Sequence, residues 1–431
     1  MKISHLLLLL VVSATACTTI RQTTQTPTGL DTLFSSPKLA RHHVGFALYD
    51  PAARRMLYER QADKYFTPAS NTKLFTLYAA LCVLGDSLPA LRYVSRGDSL
   101  VFWGTGDPSL LHPDLPPSPV FEFLKARRER LVFSVQNNQQ APYGPGWAWD
   151  DFNDDYQPEL GSLPVYGNIL RFRPDAAMQW QPNVGYFRRY LRVDSMLHDV
   201  RRNATTNLFR LPVSAAPPNA AQDVPYLTSP ELTVQLLSDT LKKEVFLRNI
   251  PLDRSARTLY SLPLDTVYRR MMVVSDNLLA EHLMLTVSGA LGDTLSVPRG
   301  IAQVRRRFLA DLPDRPAWVD GSGLSRYNAF TPRTMIRLLE KIREKVPQER
   351  LFGLLAVGGQ SGTLKSVYGN TAPFIFAKSG SLTGVYNLSG YLVARSGRVL
   401  LFSFMNNNFV TPTGEIRREV ARVLERVREG F

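Results

Sequence analysis

Hydrophobic residues lie along this chain in blocks of unlike pattern. In "MKISHLLLLLVVSATAC" one lysine precedes an apolar core from Leu6 to Val12, and small residues then lead to Cys17. That core is too short to cross a bilayer and has the layout of an export signal. The threonine-rich stretch "TTIRQTTQTPTGLDTLFSSP" has no period, as expected of a tether. "VGFALYD" and "MLYERQ", joined by "PAARR", predict strand, turn and strand. In "FTPASNTKLFT" a turn around Pro68 enters a helix near Ser70 that stays apolar to Leu84. Lys73 stands one turn inside that helix, a cation on a segment built to be buried.

From Ser99 to Leu259 the character changes. Prolines cluster in "HPDLPPSPVF", "APYGPGWAWDD" and "SAAPPNAAQDVP", and short mixed apolar runs alternate with turns, which predicts a β-rich region. Helical spacing resumes in "DTVYRRMMVVSDNLLAEHLMLTVSGAL" and "TPRTMIRLLEKIREKV". "FIFAKSG", "YNLSGYLVAR" and "VLLFSFMNN" predict adjacent strands with a hairpin turn at Ser396-Gly397, and "GEIRREVARVLERVREGF" a closing basic helix. The pattern divides the chain into a signal (1–17), a tether (18–29), one discontinuous domain (30–98 and 256–431) and an inserted β-rich region (99–255).

The chain has 431 residues, 44% of them hydrophobic, and a net charge of +14. Length and composition suit a globular protein of more than one domain. The charge suggests anionic surroundings. Arginines scattered singly, in pairs and in triplets, with no basic run among aromatics, argue against nucleic acid, and an anionic envelope or membrane surface fits. Cys17 sits where a bacterial lipoprotein is cut and acylated, although Ala14 replaces the leucine usual three residues earlier, so cleavage without lipidation is the alternative. With Cys17 lipidated, Cys82 has no cysteine partner in the chain. The six histidines show no metal-ligand spacing, and no Walker loop, dinucleotide fingerprint or G-x-S-x-G elbow is present, so neither metal nor cofactor is expected.

Ser70 and Lys73, at i and i+3, share one helix face. A lysine desolvated near a helix N-terminus has its ammonium form disfavoured and can act as a base toward a neighbouring hydroxyl. Ser35 and Lys38 repeat the spacing, but Pro37 and the lack of a following apolar helix mark them as a chance copy. Two further elements follow in order, "SDN" at Ser275–Asn277 and "KSG" at Lys378–Gly380 after an apolar strand. S-x-x-K, S-D-N and K-T-G form the signature set of class A β-lactamases and penicillin-binding proteins.

With the blocks "GTGDPSL", "PGWAWDDF", "VDGSGLSRYNAFTP", "GGQSGTLKS" and "AKSGSLTGVYNLSGYL", the chain resembles the D-alanyl-D-alanine carboxypeptidase/endopeptidase family of low-molecular-weight class C penicillin-binding proteins (peptidase family S13). The resemblance covers nearly the whole mature chain and implies an α/β fold, a β-lactamase/transpeptidase-like domain with an antiparallel sheet flanked by helices and a large β-rich insert. It implies that Ser70 attacks the carbonyl between two D-alanines, that Lys73 accepts its proton, and that Ser275 relays a proton to the leaving amine. Asn277 would hold the substrate amide and Lys73, and Lys378 and Ser379 the terminal carboxylate. The N–H groups of Ser70 and Ser381 would form the oxyanion hole, roughly 3 to 4 kcal/mol per donor. Ser379 replaces the usual threonine but keeps its hydroxyl, which implies altered affinity and retained chemistry.

Three residues carry two readings each. Arg326 pairs with a substrate carboxylate or with a surface acid, Asp151 binds the amine of the peptide's diamino acid or lies in a solvated turn, and Thr383 lines the site or simply sits in a strand. The implied partners are peptidoglycan peptides ending in D-Ala-D-Ala, β-lactams as covalent inhibitors, and a membrane reached through a lipid on Cys17, with no nucleic acid. The expected location is periplasmic. A β-lactamase or esterase on the same fold, or a catalytically silent wall-binding lipoprotein, are the competing functions.

Overall fold

The computed structural model describes residues 29–369 and 372–431. Cys17 and nearly all of the tether therefore lie outside the described residues. In chain order, a short helix, Leu30–Phe34, precedes strands β1 (His43–Asp50) and β2 (Arg55–Arg60), and a 3-10 turn, Ala69–Thr72, runs into helix α1 (Lys73–Val83). Strands β3 (Ser87–Arg96), β4 (Ser99–Gly104) and β5 (Arg130–Ser134) follow, and beyond a run of short strands come β6 (Val245–Leu247) and β7 (Arg257–Pro263). Five helices come next, α2 (Leu264–Val273), α3 (Asn277–Gly292), α4 (Val297–Phe308), α5 (Pro332–Lys345) and the short helix Gln348–Leu354. Strands β8 (Ala356–Val357), β9 (Ile375–Leu382), β10 (Val385–Val393) and β11 (Val399–Asn407) lead to the last helix, α6 (Thr413–Gly430).

The main sheet is antiparallel throughout, in the order β8-β9-β10-β11-β1-β2. The first and last thirds of the chain meet at β1 and β11, where His43 faces Asn407. Strand β10 is buried at nearly every position, so it lacks the alternation of a half-exposed strand. Each face of the sheet has its own core. Ala47, Tyr391, Leu401 and Met405 pack with α1, α3 and α5 on one side, while Phe46, Leu388, Phe402 and Phe404 pack with Ile416, Val420 and Leu424 of α6 on the other.

The helix starts follow local chemistry. Thr331 caps α5 by accepting from Thr334 N–H, with Pro332 in the first turn, and Asp276 caps α3 by accepting from Leu279 N–H. Helix α1 has no side-chain cap and is entered through the 3-10 turn. Ser70 therefore sits on that turn and Lys73 is the first α-helical residue, where sequence placed both on one helix.

A second, mixed sheet runs β6-β5-β4-β3-β7. It pairs β3 and β7 with strands of the inserted region, Tyr93 facing Arg257 and Phe102, so the boundaries expected at 98/99 and 255/256 fall inside one hydrogen-bonded sheet. By strand pairing the insert begins at β3 and ends at β7. The reason lies in β3 and β7 themselves: Pro89 and two register shifts, at Leu259/Tyr260 and Tyr260/Pro263, blur their alternation.

Candidate active site

Everything chemical converges where the 3-10 turn meets β9 and the start of α3. Below the turn, Asn71 Nδ2 donates to Ser389 Oγ of β10 at 2.8 Å, and Thr72 Oγ1 donates to the Ala69 carbonyl at 2.8 Å. Glycines let backbone close in from two sides. A Cβ on Gly380 would sit 2.5 Å from the Pro68 carbonyl oxygen and 3.0 Å from Ser70 N, and one on Gly323 would sit 1.9 Å from the Ala69 carbonyl oxygen. The strand carrying Ser381 is thereby held against Ser70.

Lys73 is fully buried. Its Nζ lies 3.0 Å from Ser70 Oγ, 2.6 Å from Asn277 Oδ1 and 2.7 Å from the Ser322 carbonyl oxygen. Burial lowers its pKa to about 8, against the opposing pull of Glu281, Asp320 and Asp276. A neutral amine in this cage donates to Asn277 and Ser322 and turns its lone pair to the Ser70 hydroxyl, which is the arrangement of a base.

A second lysine faces it. Lys378, also fully buried, donates to Ser275 Oγ at 2.9 Å and to the Ser379 carbonyl at 2.7 Å. Desolvation, and then the charge of Lys73, hold its pKa well below the usual lysine range. Ser275 occupies the break between α2 and α3 with φ 70°, a left-handed conformation that turns its hydroxyl to the lysine. Asn277 spends both ends of its amide, Oδ1 on Lys73 and Nδ2 on the Tyr156 carbonyl at 2.9 Å. The Ser379 hydroxyl donates to Thr363 Oγ1 at 2.6 Å.

A cleft of about 650 Å³ opens over these groups, and its lining includes Ser70, Ser275, Asn277 and Ser381. Asp151, Arg326 and Thr383 line the same cleft, so the three residues with two sequence readings all reach the site. Ser35 and Lys38 do not. The Ser35 hydroxyl donates to Asp31 O, and Lys38 pairs with Glu415 and Glu419 of α6.

Sequence reasoning passed over several participants. Glu281, buried on α3, accepts from Gly321 N at 2.9 Å and Ser322 N at 2.7 Å. Asp320, also buried, accepts from Gly323 N, Ser325 N, Asn328 Nδ2 and Trp147 Nε1. Thr363 and Tyr156 were likewise unmarked. Glu281 alone carried a visible signal, the one carboxylate within a largely apolar helix, four residues after Asn277.

A hydroxyl beside a buried amine, with a second serine and lysine across from it, equips a protein to form and release an acyl-serine. The family described as D-Ala-D-Ala carboxypeptidase 3 (S13) matches residues 27–185 and 205–427, and the chain belongs to it. It is 26% identical to the D-alanyl-D-alanine carboxypeptidase DacB of Haemophilus influenzae over 88% of each chain. It is 34% identical to a carboxypeptidase of Mycobacterium tuberculosis, over 83% of this chain and 75% of that one. The crystal structure of penicillin binding protein 4 from Haemophilus influenzae superposes with a TM-score of 0.75 at 20% identity, covering 93% of this chain and 99% of that one.

Proposed function

We propose that Ser70 is the residue acylated, with Lys73 as its base, in a serine-type D-alanyl-D-alanine carboxypeptidase. Membership of the family and the named relatives carry the activity itself, that of a D-Ala-D-Ala carboxypeptidase, and peptidoglycan peptides as substrates and β-lactams as acylating inhibitors are part of this proposal. The observation that carries the residue assignment is the buried Lys73 amine 3.0 Å from Ser70 Oγ. Ser70 transfers its proton to Lys73 as Oγ bonds to the carbonyl carbon, with the N–H groups of Ser70 and Ser381 receiving the oxyanion. Ser275, hydrogen-bonded to Lys378, passes a proton to the departing D-alanine nitrogen, and water then frees the acyl group. Lys378 and Ser379 receive the substrate carboxylate, and Asp151, Arg326 and Thr383 contact the rest of the stem peptide. The Asn277 amide reaches substrate by exchanging its bond to Tyr156 O.

The same acyl-enzyme also serves endopeptidase cleavage of a crosslink, because both bonds follow a D-alanine. The protein is exported and periplasmic. We assign its anchor to an acylated Cys17, which mass spectrometry of the native N-terminus tests directly.

The deciding experiment labels the purified protein with a fluorescent penicillin and maps the adduct by peptide mass. Ser70 is the expected site. Ser70→Ala abolishes labelling, and Lys73→Ala slows it by roughly two to four orders of magnitude. An adduct on Ser35 or Ser275 refutes the assignment. Slow release of the penicilloyl group together with D-alanine release from pentapeptide separates this reading from a β-lactamase.

A further inference from the structure

The Lys73 cage depends on a residue that touches neither substrate nor nucleophile. The Ser322 carbonyl receives Lys73 Nζ, and the Gly321 carbonyl receives the Thr76 hydroxyl at 2.6 Å, so this loop is bonded to α1 twice. Carbonyls aim correctly only if their peptide planes are held, and the N–H groups of Gly321 and Ser322 both end on Glu281, one on each carboxylate oxygen. Glu281 is fixed in turn by α3, where it lies one helical turn beyond Asn277, the other acceptor of Lys73. Gly321 backs onto the same helix, since a Cβ there would lie 2.6 Å from the Ala280 carbonyl oxygen. Helix α3 thus holds the lysine from two directions, through Asn277 directly and through Glu281 by way of the loop.

We propose that Glu281 is a positioning residue for the catalytic base: its carboxylate orients the Ser322 carbonyl toward Lys73 and supplies the negative charge that the lysine needs when it takes the Ser70 proton. The inference rests on Ser70 and Lys73 acting as assigned above. An N–H on each oxygen favours the ionised carboxylate, because a protonated carboxyl has to surrender one of the two acceptors. Burial and Asp320 work against that charge and push the carboxyl up. The charged groups that act on Lys73 are Glu281 and Asp276 of α3 and Asp320 of the loop, and Lys378 of β9 couples to it from across the site. Among these acids Glu281 and Asp320 are the ones buried. Asp320 spends its oxygens on its own loop, Asn328 and Trp147.

Loss of the Glu281 charge makes the Lys73 ammonium less favourable, so its pKa falls. The acidic limb of the acylation profile, which reports the shared titration of Lys73 and Glu281 in wild type and Lys73 alone in Glu281→Gln, then moves to lower pH. The plateau falls as well, because the base is weaker and its loop less well held. The test measures the acylation rate against pH with a chromogenic cephalosporin for wild type, Glu281→Gln and Glu281→Asp, with a thermal melt for each and Ser70→Ala as control. The expected result is a limb about one to three pH units lower in Glu281→Gln, a plateau at least tenfold lower, and a limb restored toward wild type in Glu281→Asp. A folded Glu281→Gln whose limb stays in place overturns the proposal even if its plateau drops, since a purely structural loss moves the rate and not the pH dependence. Should Glu281→Gln fail to fold, Glu281→Met, neutral and of similar length, is read on the same limb: a shift to lower pH supports the role, and an unmoved limb overturns it. Acylation that persists in Ser70→Ala strikes the parent assignment itself and is read separately from the Glu281 variants.

Discussion

Replacing Gly323 by alanine perturbs Ser70, the proposed nucleophile, without touching any of the proposed catalytic side chains. Gly323 has φ +87°, and a Cβ there would stand 1.9 Å from the Ala69 carbonyl oxygen and 2.9 Å from Thr72 Oγ1. An ordinary contact of this kind is about 3.4 Å or more, so one side has to yield by about 1.5 Å. The loop side is tied down, with Gly323 N bonded to Asp320 at 2.9 Å and Gly321 and Ser322 bonded to Glu281. The displacement therefore falls largely on Ala69 and on Ser70 next to it. A misplacement of about 1 Å costs roughly 100-fold in rate, and the 3.0 Å contact between Ser70 Oγ and Lys73 Nζ does not survive a larger one. Left-handed backbone adds about 1–2 kcal/mol and overpacking about 1–3 kcal/mol, for a stability loss of roughly 2–5 kcal/mol.

Stopped-flow acylation by a chromogenic cephalosporin and a denaturant titration on the same sample read both effects. Gly353→Ala is the matched control: it lies in the short helix Gln348–Leu354 with nothing within 4 Å of its Cβ, and it gains up to about 1 kcal/mol. Gly323→Ala that acylates within threefold of wild type refutes the idea that the 320–325 loop fixes the position of the serine.

Two further predictions concern buried ionisable groups. His282 is fully buried, its Nδ1 bonded to the Gly106 carbonyl at 2.8 Å and its Nε2 without a partner, and burial lowers its pKa to about 4. The unfolded chain takes up this proton near pH 6.5 and the folded chain only near 4. His282 therefore costs no stability above 6.5 and up to roughly 3 kcal/mol as pH falls to 4. Glu281 and Asp107, whose pKa values burial raises, act in the opposite sense, so the informative quantity is the difference between wild type and His282→Gln. Denaturant curves of the two proteins that stay parallel from pH 7 to 4.5 contradict the assignment. Asp320→Asn exchanges one acceptor oxygen for a donor and loses two of four hydrogen bonds, at 1.5–3 kcal/mol each for a charged acceptor. A loss of roughly 3–6 kcal/mol is expected by chemical denaturation, and one below about 1 kcal/mol refutes it.

The candidate site was legible from three motifs taken together and the family they resemble, because such chemistry needs particular side chains at particular ends of elements. Ser70, Lys73 and Asn277 stand in one hydrogen-bonded set, and Ser275, Lys378 and Ser379 in a second one facing it. Adjacent strands and a C-terminal helix were legible for the same reason. Periodicity shows which residues are buried and is silent on what a buried polar atom bonds to. Asp320 in "VDGSGLS" reads as a turn residue, and only the folded loop brings four donors onto it. The left-handed backbone of Ser275 was equally hidden, since a serine there is no signal in itself. The pairing of β3 and β7 across the expected edges of the insert was hidden for a different cause. A strand that pairs out of its expected domain looks the same in sequence as one that does not, and pairing is a long-range property.

The contacts of the insert make it part of the support of Lys73. Tyr156 holds Asn277 Nδ2, Trp147 donates to Asp320, and the Pro145 carbonyl accepts from Ser325 Oγ at 2.7 Å. Asn277 and Asp320 both act on Lys73, the first by a hydrogen bond and the second by its charge. A shift of the 145–156 segment therefore reaches Lys73 along two routes, while the same segment carries Asp151 on the cleft wall. A peptide that engages Asp151 is positioned to press on Tyr156 and Trp147, so contacts far from the scissile bond bear on the lysine itself. Binding energy from the distal part of the stem peptide then appears in the acylation rate and not only in affinity. Truncated peptides lose kcat on wild type under this coupling. Trp147→Phe, which removes one donor from Asp320, narrows that loss by weakening the route. Equal kcat for full-length and truncated peptides on wild type contradicts it.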